Sequence, residues 1–436
     1  MSAFKPSQES KEERIQRLLR QFEQTLRERL TEGPQTLEEI EREVADIGKQ
    51  VQKDLQDEKL DQSGTGYTQD QVPCCCGGKA AYCAEHRRHL VTLHGPITLT
   101  RAYYYCRGCH TGTCPLDTVL GLDKGETSLG VRGLIGRLSA YMPDRKASAE
   151  AELLTGVKLA PSTAQRLSRA LGDQLARDWQ AEEARWKADR LSRTDRPIPC
   201  VHTSMDGVFV FVDKQWCEAK VGVVYERGEQ GVERAAYYAT LAKSADFGRR
   251  WRTLTCREGR GHCRQLVVVA DGAEWIWQET GKYAPRSVQI LDYYHGVQHL
   301  WMVARIRFGE GSEAGATWMA LQQERLLDDK VDAVIADLEL WVPNTVAGEE
   351  VRTGKLSYLR THRHRMQYKT FREAGYHIGS GVVEASCKAT VQGRMKGPGM
   401  RWRAAGAEAM LHLRAAWCTS QQTDFVAIAR RASMAA

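Results

Sequence analysis

Between residues 201 and 291 the apolar residues fall into five strand-length runs, and the order of those runs constrains the fold more than any other feature. Residues 201–212, 216–225 and 234–241 are rich in Val, Tyr and Phe and are separated by short polar turns, the pattern of a strand meander. A helical stretch at 245–255 then leads to a strand at 265–270, a helix at 273–280 and a strand at 287–291. Three meandering strands followed by strands alternating with helices predict an α/β domain with an open sheet. Past His295 the pattern is helical to about residue 337, so a helical insertion is expected before the chain returns to the sheet.

Three carboxylates stand out against this frame. Asp206, in T-S-M-D-G-V-F-V, interrupts a strand pattern from which carboxylates are normally depleted. Asp271, in L-V-V-V-A-D-G-A-E-W, directly follows an apolar strand; taken alone, D-G at a strand end marks a turn. Both acids lie near the ends of successive strands, where open α/β sheets build their sites. Glu384, in I-G-S-G-V-V-E-A-S-C-K, follows two glycines that let a backbone approach phosphate or metal. A helix-borne Glu is ordinarily a solvated face residue, but Val382, Val383 and Ala385 predict a buried helix start, where an unpaired carboxylate is costly and a metal is its natural partner. Hard divalent cations such as Mg²⁺ or Mn²⁺ take carboxylate oxygens, and a pair of them can hold both oxygens of an in-line phosphoryl displacement. Asp292-Tyr293-Tyr294-His295 follows the next strand: Asp292 reads either as a helix cap or, with His295, as a pair ordering the site from behind, with His299 one turn on.

The 436 residues suggest about three domains. The net charge of +7 hides an uneven distribution: acids outnumber bases up to Gln62, residues 352–372 hold no carboxylate, and residues 385–436 are strongly basic. That asymmetry fits a polyanionic partner. Arg363, Arg365 and Lys369, with Arg360 and the rings of Tyr358 and Tyr368, and then Arg394, Lys396, Arg401 and Arg403 around Trp402, combine phosphate-neutralising charge with rings able to stack on bases. Solvated basic surface and a core-packed Trp402 are the plainer readings. No apolar run approaches the length needed to cross a bilayer. Thirteen cysteines, an odd number, and a polar start without a signal-peptide pattern lead us to expect a reducing cytosol.

Residues 11–62 carry an apolar stripe of Ile15, Leu18, Leu19, Phe22 and Leu26 at helical spacing, a break at Gly33-Pro34, and a capping-box spacing at Thr36–Glu39, which predicts a helical hairpin that packs on the body or on a second copy. After a Ser/Gly/Thr linker comes a cysteine module. Cys106-Arg107-Gly108-Cys109 is a C-x-x-C knuckle, and Cys74-Cys75-Cys76 precedes Gly77-Gly78 about thirty residues upstream. Two knuckles about a β-hairpin predict a zinc ribbon with Zn²⁺ on Cys74, Cys76, Cys106 and Cys109, Cys75 or Cys83 being possible substitutes and reduced buried thiols the alternative. Cys256, His262 and Cys263 lack a paired knuckle and read as chance. Residues 146–175 read as two short helices about Gly156, the second running from Pro161 through Leu171; they resemble a helix-turn-helix that would show Ser162, Gln165, Arg166 and Arg169 to DNA, with simple helix packing as the alternative.

From about Val72 to Trp417 the chain resembles DDE transposases of bacterial insertion sequences, most of all the Kra-type family and more distantly the Mutator-like transposases. The resemblance is carried by G-P-I-T-L-T-R-A-Y-Y-Y-C-R-G-C, S-M-D-G, V-V-V-A-D-G-A-E-W, L-D-Y-Y-H-G-V-Q-H-L, G-S-G-V-V-E-A-S-C-K and R-M-K-G-P-G-M-R-W, in that order. It implies that Asp206, Asp271 and Glu384 are a catalytic triad for two Mg²⁺ ions, with Asp292 and His295 as a D-x-x-H signature. It implies hydrolysis at a transposon end followed by attack of the freed 3′-hydroxyl on target DNA, in an oligomer holding two ends, in the bacterial cytoplasm at the nucleoid. The expected organisation is a helical region at 1–62, a zinc-ribbon-like module at 72–122, a helix-turn-helix-like region at 125–195, the first part of a ribonuclease H-like core at 198–300, an all-α insertion at 301–375, and the Glu384 helix with a basic C-terminal region at 376–436. Two rivals are a zinc-ribbon DNA-binding protein without catalysis and a ribonuclease H-like nuclease or resolvase that only hydrolyses.

Overall fold

The computed structural model describes residues 9–33, 35–187, 198–228, 231–261, 263–419 and 423–434; His262 and the end of the segment expected at 125–195 lie outside these. The protein is mixed α/β and divides into two compact units, Met1–Ser168 with Asp424–Ala436, and Arg169–Thr423. Asp424–Ala436, grouped by sequence with the Glu384 segment, thus falls in the first unit. No described helix is long and apolar enough to cross a membrane.

The first unit opens with α1 (Lys11–Arg29) and α2 (Leu37–Asp61). The capping box expected at Thr36 is present: Glu39 N donates to Thr36 Oγ1 at 3.3 Å, and Thr36 N donates to Glu39 Oε2 at 2.8 Å. Ser10 and Glu13 form a second box at the start of α1. Next come β1 (Gln71–Pro73), β2 (Lys79–Thr92), β3 (Gly95–Cys106) and β4 (Thr111–Thr113), an antiparallel sheet in that order. α3 (Pro115–Val119), α4 (Leu129–Tyr141) and α5 (Asp144–Thr155) follow. Gly156 ends α5 in the left-handed region at φ 77°, where a Cβ is disfavoured. α6 (Pro161–Lys187) runs sixteen residues beyond Leu171, the end expected from sequence, and the division between units falls within it.

The second unit is built on a five-stranded sheet ordered β7-β6-β5-β8-β9, from β5 (Ile198–Val212), β6 (Gln215–Gly228), β7 (Gly231–Thr240), β8 (Cys263–Ala270) and β9 (Val288–Leu291). β5, β6 and β7 form the antiparallel meander; β8 and β9 run parallel to β5 and are reached through α7 (Ser244–Arg257) and α8 (Glu274–Tyr283). The parallel strands are near-continuous apolar runs because both faces are covered. Trp251 of α7 is fully buried against them, and its Nε1 donates to Thr203 Oγ1 at 2.8 Å. The expected insertion is all helical: α9 (Tyr293–Phe308), α10 (Glu313–Leu327), α11 (Val331–Leu340), α12 (Val346–His362) and α13 (Tyr368–Glu373), whose Leu300, Met319, Val334, Leu359 and Tyr368 join the core beneath the sheet. α14 (Gly381–Cys387) carries Glu384 and passes through a π-helical turn, Lys388–Gln392, into α15 (Gly393–Met395). The buried Arg414 of α16 (Ala404–Cys418) donates to the carbonyls of Ala389 and Thr390, two acceptors in that turn. α17 (Phe425–Met434) closes the chain in the first unit, packed on α4, where Asp123 joins Arg132 to Ser433.

Candidate carboxylate site and cysteine cluster

Strand register brings three aspartates to one level of the sheet. Parallel β5 and β8 pair up to Thr203↔Val268, and Asp206 and Asp271 each lie three residues past that pair. β8 and β9 pair up to Ala270↔Leu291, and Asp271 and Asp292 each lie one residue past it. The Asp292 amide donates to the Ala270 carbonyl at 2.7 Å, extending this register by one bond.

The four acids differ in setting. Asp206 is half-buried; its Oδ1 accepts from the Gly207 amide at 2.6 Å, and its Oδ2 faces the buried Cys387 thiol at 3.4 Å. Burial holds its carboxyl above the usual range, and the Asp271 and Glu384 carboxylates push the same way. Asp271 Oδ1 accepts from the Ala273 amide at 2.9 Å, and its carbonyl accepts from Trp277 Nε1 at 2.8 Å. Glu384 departs from expectation: it and Ala385 are exposed, because the seven-residue helix turns Val383, Ser386 and Cys387 inward and leaves Glu384 on the flank. Asp206, Asp271 and Glu384 have no Lys or Arg partner among the described residues, and their oxygens do not all draw within 4.8 Å of one another as the cysteine sulfurs below do. The set offers hard oxygen donors with uncompensated like charge, which suits a divalent cation.

Asp292, only 2% exposed, is spoken for on both oxygens. Oδ1 accepts from the Tyr294 and His295 amides at 2.7 and 3.2 Å, capping α9, while Oδ2 accepts from the Ser380 amide at 3.0 Å and from its hydroxyl. The Tyr293 amide adds a 2.9 Å bond to the Ile378 carbonyl. Asp292 is therefore a cap and also a latch on the loop that opens the Glu384 helix. The ring of His295 stands edge-on to His299, 4.9 Å between centroids; His299 stacks on Tyr358 at 4.0 Å and meets Lys355 Nζ at 2.7 Å. Tyr358 lies so close over Gly272 that a Cβ there would meet its ring at 2.3 Å, and its buried hydroxyl has no hydrogen-bond partner among the described residues. Ser380 and Cys387 are additions to the site read from sequence, signalled locally by the G-S-G before Glu384 and the S-C-K after it; Tyr358, expected as a ring for bases, packs over Gly272 instead.

The cysteine module folds about the β2–β3 hairpin, with the four expected cysteines gathered at one end. The start of β2 lies beside the end of β3 (Ala81↔Tyr105), so the β1–β2 and β3–β4 turns meet at one end of the hairpin. Sγ atoms of Cys74, Cys76, Cys106 and Cys109 lie within 4.8 Å of one another, with Cys74–Cys109 at 3.4 Å and Cys76–Cys106 at 3.7 Å. Cys75 turns toward Thr111, and Cys83 donates to Ala81 O instead. The Cys76 amide, then the Cys109 thiol, draw the Cys74 thiol down to about 6. Against the lowering pull of the Gly78 amide, the neighbouring thiols raise Cys76 to about 12. This Cys₄ cluster could hold a metal such as zinc.

The basic residues divide. Ser162, Gln165, Arg166 and Arg169 are all exposed on α6. Lys396, Arg401 and Arg403 are exposed beyond α15. Arg394 departs from the DNA-facing expectation: it is 3% exposed, with its guanidinium 5.2 Å from the half-buried Trp402 ring. Arg365 is half-buried over Trp277 at 4.2 Å and donates to Gln289. Of the rings expected to meet bases, Tyr368 is buried and Tyr358 is half-buried, stacked on His299. Arg363 and Lys369 are exposed but face Asp332 at 2.5 Å and Asp328 at 3.9 Å, carboxylates supplied from elsewhere in the chain.

Fold and site together define a mixed α/β protein in which Asp271 and Asp292 follow the ends of two parallel strands, Asp206 lies at their level but inside β5 rather than at its end as expected, and four cysteines gather in a cluster that could hold a metal. The chain belongs to UPF0236, described as an uncharacterised protein family, whose model matches residues 78–431. It is similar to the "UPF0236 protein in vanSb 3′ region" of Streptococcus gallolyticus, 24% identical over 348 residues that cover 75% of this chain and 71% of the relative.

Proposed function

We propose that this protein is a DNA transposase that cleaves phosphodiesters at the ends of a mobile element and joins them to target DNA. The observation that carries the reading is the register of Asp206 and Asp271 on neighbouring parallel strands, with the Glu384 carboxylate near enough to raise Asp206. A meander of three antiparallel strands followed by two parallel ones, interrupted by an all-α insertion before the third acid, supports a ribonuclease H-like catalytic core. Asp206, Asp271 and Glu384 would hold Mg²⁺ or Mn²⁺, and such ions, once bound, supply activation of a water or 3′-hydroxyl and charge stabilisation at phosphorus.

The chain's own groups do the positioning. Gly207 N fixes one Asp206 oxygen and Ala273 N one Asp271 oxygen, while the second Asp271 oxygen and the Glu384 carboxylate have no hydrogen-bond or ion-pair partner among the described residues. Asp292 and Ser380 set where the Glu384 helix begins, so Asp292 is a positioning residue rather than a metal ligand. Tyr358 packs over Gly272, the residue after Asp271. The cysteine cluster as a zinc ribbon, the exposed face of α6 as the recognition helix of a helix-turn-helix, and Lys396, Arg401 and Arg403 as phosphate contacts would supply DNA binding. Two ends must be held at once, so the active form is a homo-oligomer, acting in the cytoplasm on nucleoid DNA.

The test is to incubate the full chain with Mg²⁺ or Mn²⁺, a labelled duplex bearing the element's terminal repeats, and supercoiled target. Joined products support the transposase. Nicks without joining would make it a nuclease or resolvase, and a shifted but uncut duplex a DNA-binding protein without catalysis.

A further inference from the structure

The β5–β6 hairpin extends well beyond the sheet. β8 pairs with β5 no further than Thr203, whereas β5 and β6 stay paired to Val212↔Gln215. The two-residue turn, Asp213-Lys214, has positive φ at both positions, 46° and 66°, without a glycine. It is held by the segment carrying Trp402: the Asp213 amide donates to Trp402 O at 2.9 Å, the Trp402 amide to Phe211 O at 3.3 Å, and the Ala404 amide to Asp213 Oδ2 at 3.1 Å. The hairpin end is thus anchored on the chain that follows the Glu384 helix.

This anchored end exposes aromatic rings. Trp216 is 63% exposed and Phe209 56%, against the norm that large rings are buried. Residues alternate faces along a strand, so Phe209 and Phe211 lie opposite Asp206, Val208 and Val210; Phe211 pairs with Trp216 across the hairpin, their rings edge-to-face at 5.6 Å. Trp216 is thereby braced by one ring with much of its own surface open. Lys214, Lys396, Arg401 and Arg403 are exposed around the tip, Lys396 Nζ lying 6.0 Å from the Trp216 ring. Of the nearby acids, Asp213 accepts the Ala404 amide and faces Arg403 at 3.7 Å, and Glu218 is paired with Lys220 at 2.7 Å.

We propose that the β5–β6 tip is a stacking platform for unpaired nucleotides of a DNA strand, with Trp216 as the principal ring, Phe209 as a second, and Lys214, Lys396, Arg401 and Arg403 neutralising phosphates. Exposed rings bounded by cations match a base-and-phosphate ligand, and stacking needs bases that have left the duplex. The patch lies on the other sheet face from Asp206, and its principal ring, Trp216 opposite Phe211, is five residues or about 17 Å along the strand from it, with Phe209 three residues or about 10 Å away. The proposal rests on the DNA-processing reading above and assigns its single-stranded product or intermediate a place to bind.

Fluorescence anisotropy of a labelled oligothymidine and of a duplex of equal length, without added divalent cation, tests it on the full chain. Stacking is lost base by base, so Trp216→Ala is expected to weaken single-strand binding by about tenfold or more, Phe209→Ala to weaken it less, and both to leave duplex binding within about twofold. Trp216→Phe keeps a ring and is expected to restore most of the affinity, and thermal unfolding of Trp216→Ala close to that of the parent would separate loss of the ring from loss of the fold. If the parent binds both DNAs and Trp216→Ala weakens neither, or weakens both equally, the platform is wrong while the DNA reading stands. If the parent binds neither, both fail. If Trp216→Ala changes only the sedimentation of the protein, the patch is a contact between copies and the proposal is overturned.

Discussion

Asp292 ties three chain segments together with one carboxylate: the end of β9, the first turn of α9, and the loop before α14. Removing it strands buried donors, so Asp292→Ala is expected to cost about 3 kcal/mol, against about 1 kcal/mol for Ser380→Ala, read from urea unfolding midpoints. Both should reduce phosphodiester cleavage while leaving DNA affinity near the parent value, because they displace Glu384 and touch no DNA-facing side chain. The cap half of Asp292's role was legible in D-Y-Y-H, since an Asp opening a helix is a local event. The latch was not: Ser380 lies 88 residues on, and nothing local announces the bond. Arg394 shows the same limit from the other side. Its neighbours Lys396 and Arg401 are exposed, whereas Arg394 is buried with its guanidinium 5.2 Å from the Trp402 ring.

Helix α6 shows why an element can outrun its signal. The sequence pattern predicts an end at Leu171, yet the helix runs on through Gly172, a glycine that serves packing rather than termination: a Cβ there would fall 2.2 Å from Ala409 O of α16. Gly172→Ala should therefore destabilise the protein by about 1–3 kcal/mol despite alanine's better helix propensity. Gly281 in α8 has nothing within 4 Å of its would-be Cβ, and Gly281→Ala should stabilise by about 0.5–1 kcal/mol. Thermal melts of the two variants must move in opposite directions. The sheet of the second unit was legible because Val, Tyr and Phe runs of strand length have few other uses, and the cysteine knuckles because turn and ligand spacing are both local. For that cluster, zinc analysis should return about one ion per chain, and Cys106→Ser or Cys109→Ser should lose it and loosen the β2–β3 hairpin.

Across the molecule, charge in sequence is not charge in space: the carboxylate-free stretch at 352–372 meets acids from α11 and its preceding turn, while Lys396 and Arg401 have none among the described residues. Titration has a similar collective character. Burial lowers His202, His299 and His362 each to about 4, assisted by Arg227, Lys355 and Arg365 respectively. Each is neutral when folded but binds a proton near 6.5 when unfolded, so the unfolded chain holds more protons between those values. The stability they contribute is fully present above about pH 6.5 and is lost as pH falls toward 4, at up to about 4 kcal/mol per pH unit if all three act together. Urea unfolding at successive pH values should show this slope, and His202→Gln should flatten it.

The proposed function requires Asp206, Asp271 and Glu384 to act as one divalent-cation site for phosphodiester chemistry. Single-turnover cleavage of a labelled terminal-repeat duplex, with Mg²⁺ or Mn²⁺ and variants shown to be folded and DNA-bound, tests it most directly. Asp206→Ala, Asp271→Ala and Glu384→Ala should each lower the rate by about a thousandfold or more. Cleavage that persists at the parent rate in any one of the three would contradict the assignment.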